Sequence, residues 1–252
     1  MAHVIAFANQ KGGVAKTTST VNLGAALREH GLRVLAVDMD PQGNLTMCLG
    51  VDTESLEKSM YDVLVHRLPI AEVIYEREID VAASTIDLAG AEMALASMIG
   101  RERALQRALE PVKDEYDYVL IDTPPSLGLL TINALTAAEA VIVPVQCEYL
   151  SLRGLLQLER TLDMIRENLN PRVRIMGILP TLFDARTHHG KESVEVLREN
   201  FGDLVFDTVV RKTIKFAEAP VTGTSVLKYD PAGRGAEAYR ALAREVLNGR
   251  SS

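Results

Sequence analysis

The sequence predicts an α/β fold, a doubly wound and mostly parallel sheet flanked by helices, and three observations carry that expectation. Apolar runs of strand length alternate with segments of helical period along the 252 residues, which is the pattern of βαβ units. The runs are nearly continuous in Val, Ile, Leu and Ala, as strands covered on both faces require. Hydrophobic residues make up 47% of the chain, enough for one sizeable core. Residues 1–252 are therefore expected to form a single domain.

Strands are expected over 3–8, 33–37, 79–82, 117–121, 140–145 and 173–179. Helices are expected over about 17–30, 59–65, 87–96, 99–110, 128–137, 151–168, 190–200 and 233–248. Gly31 closes the first helix as a C′ glycine does. The stretch from Val51 to Tyr75 is the least regular and is the natural place for an insertion or a partner-binding element.

The net charge of −7 is unevenly spread: residues 1–150 carry 11 Lys/Arg against 21 Asp/Glu, and residues 151–252 carry 16 against 13. Residues 211–252 alone hold 8 against 4. A polyanion meets the local field, because salt screens beyond ~10 Å. The balance thus leaves room for a basic face toward the C-terminus. No run approaches the ~20 apolar residues of a membrane span, and Met1 leads straight into His3-Val-Ile-Ala-Phe-Ala8 without a basic-then-apolar leader. A cytoplasmic protein is expected. Cys48 and Cys147 lack metal-ligand spacing and are expected to be reduced thiols.

The first strand runs into Asn9-Gln-Lys-Gly-Gly-Val-Ala-Lys-Thr-Thr18 and then a helix. Strand, glycine loop and helix are the context a phosphate cradle needs. The main chain of Gly12, Gly13, Val14 and Ala15 would meet the anion, together with Lys16, Thr17 and Thr18. Lys16 would reach the β and γ phosphates, and the Thr17 hydroxyl would bind Mg²⁺. The usual G-x-x-x-x-G-K-[ST] pattern fails, since Gln10 and Ala15 hold its glycine positions. A second lysine, Lys11, stands five residues before Lys16. Two later strands end in carboxylates: Arg33-Val-Leu-Ala-Val37 leads to Asp38-Met-Asp-Pro-Gln-Gly-Asn44, and Tyr118-Val-Leu-Ile-Asp122 leads to Thr123-Pro-Pro-Ser126. Such positions border the crevice where open α/β sheets bind ligands.

The string Lys11-Gly-Gly-x-x-Lys-Thr17 resembles the deviant Walker A motif of the ParA/MinD family. Gly177-Ile-Leu-Pro-Thr-Leu-Phe-Asp-Ala-Arg-Thr187, Ala217-Glu-Ala-Pro220 and Tyr229-Asp-Pro-Ala-Gly-Arg-Gly-Ala-Glu-Ala-Tyr239 are similar to segments of the ParA (Soj) branch, so the resemblance covers essentially the whole chain. It implies a P-loop ATPase that uses ATP and Mg²⁺. By resemblance, Lys11 crosses to the partner's phosphates in an ATP-dependent homodimer. Asp40 orients the attacking water, Asp38 supports the metal, and Asp122 holds the Mg²⁺ shell as a Walker B group. Lys11, Lys16 and Asp40 are thus the expected catalytic set. The family usually has Ile-Pro-Arg-Asn before the Ala217 segment, with its Pro and Asn bordering adenine. Here Val209-Val-Arg-Lys212 stands instead, so Val210 and Lys212 are the expected base neighbours.

The resemblance also implies that the ATP dimer binds non-specific DNA and that a ParB-like or other cargo adaptor stimulates hydrolysis, which makes the protein nucleoid-associated. The expected DNA contacts are Arg186, Arg211, Lys212 and Lys215. No helix-turn-helix precedes the loop, so sequence-specific binding is not expected. Three rivals stand beside this reading. A MinD-like membrane-cycling ATPase would need a bulky amphipathic tail, whereas Glu237 to Leu247 offers the small stripe Ala238, Leu242, Ala243 and Val246, so no membrane attachment is expected. An iron–sulfur ATPase would need a cysteine soon after Asp122, where Asp122-Thr-Pro-Pro-Ser-Leu-Gly128 has none. An ATP-dependent metabolic enzyme would need a second-substrate motif, and none is evident.

Overall fold

The computed structural model describes residues 2–147, 152–183 and 188–249. Its strands are β1 (His3–Phe7), β2 (Val34–Asp38), β3 (Ile74–Tyr75), β4 (Asp80–Ala82), β5 (Tyr118–Asp122), β6 (Ala140–Gln146) and β7 (Arg174–Thr181). Its helices are α1 (Lys16–Glu29), α2 (Asn44–Cys48), α3 (Met60–His66), α4 (Ala91–Leu95), α5 (Ala104–Leu109), α6 (Leu129–Ala137), α7 (Leu152–Asn168), α8 (His188–Phe201), α9 (Lys215–Glu218), α10 (Val226–Tyr229) and α11 (Arg234–Leu247). The strands form one sheet in the order β3-β4-β2-β5-β1-β6-β7. Every pair is parallel except the short β3–β4 edge. This is the doubly wound sheet the sequence predicts.

Alternation along each strand divides the core between the two faces, because successive side chains point to opposite sides. Val4, Ala6, Leu35 and Val37 pack with α3 to α8 on one side. Ile5, Phe7, Val34 and Ala36 pack with α1, α2, α10 and α11 on the other. The contact between α1 and α11 is anchored by Tyr239, which is fully buried and whose hydroxyl lies 3.0 Å from that of Ser19.

The helix expected over 87–96 is divided into a 3₁₀ turn at 86–90 and α4, and the one expected over 99–110 begins only at α5. Gly100, at φ 69°, turns the chain into the left-handed region between them and breaks the helical path. The elements α2, α9, α10 and β3 are each five residues or fewer, too short to write a period into the sequence.

Candidate nucleotide site

Strand register brings the chemistry together. Asp122 of β5 lies between Phe7 of β1 and Asp38 of β2, at the carboxyl ends of the three strands. The loop leaving β1 therefore rises beside both carboxylates. Its start is tied to β6 by Asn9, whose Nδ2 donates to Pro144 O at 2.7 Å while its Oδ1 accepts from Lys11 N at 3.0 Å. Farther along, the Thr181 hydroxyl of β7 donates to Val14 O at 3.0 Å.

Two residues then turn the loop into α1. Gly13 and Ala15 stand at φ 70° and 67°. The left-handed region suits glycine and costs alanine about 1 kcal/mol. What the turn achieves is the exposure of a helix end: α1 has no side-chain cap and no acidic residue in its first turn. Its first N–H groups and the positive end of its dipole open outward, an arrangement that receives anions.

That end faces a cavity of about 460 Å³, within the size range of small-molecule sites. Gly12, Gly13, Ala15, Lys16, Thr17 and Thr18 form one wall, and Asp40, Gln42, Asn44, Cys48 and Pro125 form the next. Leu182, Phe216 and Pro220 close the far side. The Lys16 ammonium donates to Asn9 O at 3.2 Å and Lys11 O at 3.4 Å. Burial lowers its pKa, and Asp122 and Asp40 pull the other way. Asp40 lines the cavity and accepts from Gln42 N at 3.0 Å.

Beneath the loop, the Thr17 hydroxyl donates to Asp122 Oδ2 at 2.5 Å. The other oxygen, Asp122 Oδ1, is buried without a hydrogen-bond partner among the described residues. Burial and then the charge of Asp38 push the Asp122 carboxyl well above the ordinary range. A buried carboxylate oxygen lacking a donor, next to a hydroxyl, fits a hard cation that takes oxygen ligands. Asp38, the neighbour of Asp122 in strand register, is held by three donors. Its Oδ2 accepts from the N–H and hydroxyl of Thr46 at 2.9 and 2.7 Å, and its Oδ1 accepts from Asp40 N at 3.1 Å. Burial raises it to about 6. Its geometry is that of an anchor for the acidic loop.

Other expected residues fall outside the cavity wall. Val14 is buried, and Lys11 donates to Gln146 Oε1 of its own chain at 3.1 Å. Val210 is turned into the core and Lys212 is exposed. Residues 210–212 run beside the end of β7 through Val210 N to Pro180 O, Phe183 N to Val210 O, and Lys212 N to Phe183 O. Leu182, Phe216 and Pro220 line the cavity, whereas Val210 and Lys212 do not. Cys147 is buried and Cys48 lies on the cavity wall.

A second concavity, open and about 750 Å³, is lined by Arg211, Arg234, Glu237, Arg240 and Arg244, among others. On α11 these side chains recur every three or four residues and share one face. Arg240 is bound by Glu29 at 2.6 and 2.7 Å, which leaves Arg211, Arg234 and Arg244 as the exposed cations of this groove. Lys215 is paired with Glu218 at 2.8 Å and lies over Tyr229. Arg186 lies outside the described residues. The apolar stripe of α11 is spent on the core through Leu242, Ala243 and Val246. Among the described residues no helix is long and apolar enough to cross a membrane.

A phosphate-receiving helix end, a lysine within the loop and a Thr–Asp pair below it define a P-loop nucleotide hydrolase, of the deviant kind because a second lysine precedes the loop. The family model described as "AAA domain" matches residues 2–175. The chain is 49% identical to the sporulation initiation inhibitor protein Soj of Bacillus subtilis over 98% of each chain. It is 44% identical to the chromosome partitioning protein ParA of Caulobacter vibrioides, over 97% of this chain and 94% of that one. Among solved structures, a Mycobacterium smegmatis protein titled cobyrinic acid a,c-diamide synthase, with bound ADP and magnesium, superposes with a TM-score of 0.87 at 42% identity, covering 98% and 95% of the two chains. The cell division ATPase MinD of Pyrococcus furiosus does so at 0.78 and 26%, covering 98% and 99%. The chain belongs to the ParA/Soj family and is a positioning ATPase of the ParA type.

Proposed function

We propose that this chain is a partition ATPase whose ATP-bound homodimer holds DNA without base preference and lets go after hydrolysis. The nucleotide's phosphates meet the N–H groups of residues 12–17, and Lys16 exchanges its two carbonyl partners for phosphate oxygens. Thr17 and Asp122 hold Mg²⁺, which supplies neutralisation of the triphosphate charge. Asp40 orients the attacking water. Phosphoryl transfer asks for positioning and charge stabilisation more than for a strong base. Lys11 leaves Gln146 and crosses to the partner's phosphates, so closure of two subunits depends on ATP.

The observation that carries the DNA reading is the line of Arg211, Arg234 and Arg244 along one open groove. Guanidinium groups contact phosphates irrespective of sequence. Dimerisation would join two grooves, and affinity would rise through additive phosphate contacts. A ParB-like or other cargo adaptor would speed hydrolysis and release the dimer. This cycle places the protein in the cytoplasm, on the nucleoid.

The test is fluorescence anisotropy on two duplexes of unrelated sequence. Binding should require ATP, be equal for both duplexes and weaken about tenfold in Arg211→Glu or Arg244→Glu, with the salt slope reduced by about 2, one per subunit. Equal binding without nucleotide, or indifference to both substitutions, would count against the reading. The 42% identity to the diamide synthase of Mycobacterium smegmatis favours one alternative, ATP-dependent amide formation. ATP turnover driven by a corrinoid carboxylate, and untouched by DNA with adaptor, would decide for it.

A further inference from the structure

Besides the main-chain bonds Met39 N to Asp122 O and Gly43 N to Asp40 O, both at 3.0 Å, one hydroxyl ties the acidic loop after β2 to its neighbours. Thr46 sits on α2, is fully buried, and directs both of its donors to the same oxygen, Asp38 Oδ2. The same hydroxyl accepts from Ser84 N at 2.9 Å, just beyond the end of β4. Asp38 Oδ1 in turn receives the N–H of Asp40 at 3.1 Å. The end of β2, α2 and the chain beyond β4 are therefore tied at Thr46, and the tie ends at the backbone of the residue whose carboxylate lines the cavity.

Each link can be checked for alternatives. Asp38 is fully buried, so its orientation depends on the donors around it, and two of its three come from Thr46. Without the hydroxyl, Asp38 Oδ2 keeps a single N–H and Ser84 N loses its acceptor. Both are buried groups whose desolvation is then uncompensated. The loop can recover by shifting, and a shift there moves Asp40. Displacement of a reacting group by about 1 Å can cost on the order of 100-fold in rate.

We propose that Thr46 is a positioning residue for ATP hydrolysis: its hydroxyl fixes Asp38, and the Asp38–Asp40 hydrogen bond sets where the Asp40 carboxylate stands over the nucleotide. Thr46 itself does not line the cavity. Its loss should act on the chemical step and spare nucleotide binding, which rests on the loop of residues 12–18. The inference depends on the reading of Asp40 as the residue that orients water.

The experiment compares Thr46→Val, Thr46→Ser and Asp40→Ala in steady-state ATP hydrolysis, with nucleotide affinity titrated separately using a fluorescent ADP. Valine keeps the shape and removes the hydroxyl, and serine keeps the hydroxyl. Thr46→Val should lower kcat about tenfold or more with affinity held within about threefold, and Thr46→Ser should restore kcat to within about threefold of the parent. A Thr46→Val enzyme with unchanged kcat, or an equal loss in Thr46→Ser, overturns the proposal, as does a parallel loss of affinity and rate. If Asp40→Ala hydrolyses ATP normally, the reading of Asp40 fails first. If Asp40→Ala is inactive and Thr46→Val is not, only the Thr46 proposal fails. Should the valine variant not fold, Thr46→Ala against Thr46→Ser makes the same comparison, with rate lost in the first and kept in the second.

Discussion

On the proposed reading, the phosphate half of the cavity hangs on strand ends and the loop leaving β1, whereas its base half hangs on loops farther along the chain. Asp122 ends β5 and Asp40 follows β2 by two residues, Thr17 is bonded to Asp122, and Lys16 is held by Asn9 O and Lys11 O in the loop leaving β1. Leu182, Phe216 and Pro220 come from the far side, where short helical turns are joined by irregular chain. Phe216 is positioned by stacking edge-on against Tyr239, with ring centroids 5.8 Å apart. The residues after α9 are positioned by a main-chain approach between Gly50 and Gly223, so close that a Cβ on Gly223 would lie 2.8 Å from Gly50 Cα. Strand ends define atoms to within the tolerance that phosphoryl transfer demands. Packed loops are sufficient to cover a base.

This contrast can be broken by substitution. Lys16→Ala removes a cation from the phosphate half and should reduce nucleotide affinity and turnover together by about two to three orders of magnitude. Retained ATP binding would mean that the loop is not the phosphate cradle. Phe216→Ala should act only on affinity, weakening ADP and ATP alike by roughly tenfold with kcat unchanged, since contact with an aromatic face is worth about 1–3 kcal/mol per base. A fall in kcat at unchanged affinity would show that the two halves are not separable.

A smaller effect concerns pH. Asp38 and Asp122 are buried carboxyl groups whose folded pKa values exceed their ordinary ones, Asp38 lying at about 6 against 3.8. The folded chain then binds these protons more tightly than the unfolded chain does. Their contribution is full below the unfolded value and is lost as pH rises through the folded one. Glu29 and Asp117, held low by Arg240 and Arg33, titrate beneath this window. The nucleotide-free protein should therefore lose thermal stability from about pH 5 to pH 8, and saturating Mg²⁺ with ADP should flatten the slope by favouring ionised Asp122. A melting temperature that rises over this interval without ligand would contradict the assignment.

The same contrast explains what the sequence made legible. Each carrier of the phosphate half lies in one contiguous string after an apolar run: Asn9 to Thr18, Asp38 to Asn44, or Asp122. Strand order then follows from a small set of α/β topologies. Phe216 and Pro220 have no such string, because tertiary contacts across the chain carry them to the cavity. The arginines of α11 were hidden in another way. Their helix announces itself by its apolar stripe, and only the fold shows that the opposite face meets Arg211. Asp38 is legible as a carboxylate at a strand end, but its buried partner Thr46 lies eight residues downstream, on a helix too short to be foreseen.

The most direct test is the mass of Asp40→Ala by sedimentation with ATP and Mg²⁺ and again with ADP and Mg²⁺, repeated with Lys11→Ala added. The account predicts a dimer with ATP, a monomer with ADP, and a monomer in both once Lys11 is gone. One and the same mass in all four samples would contradict it.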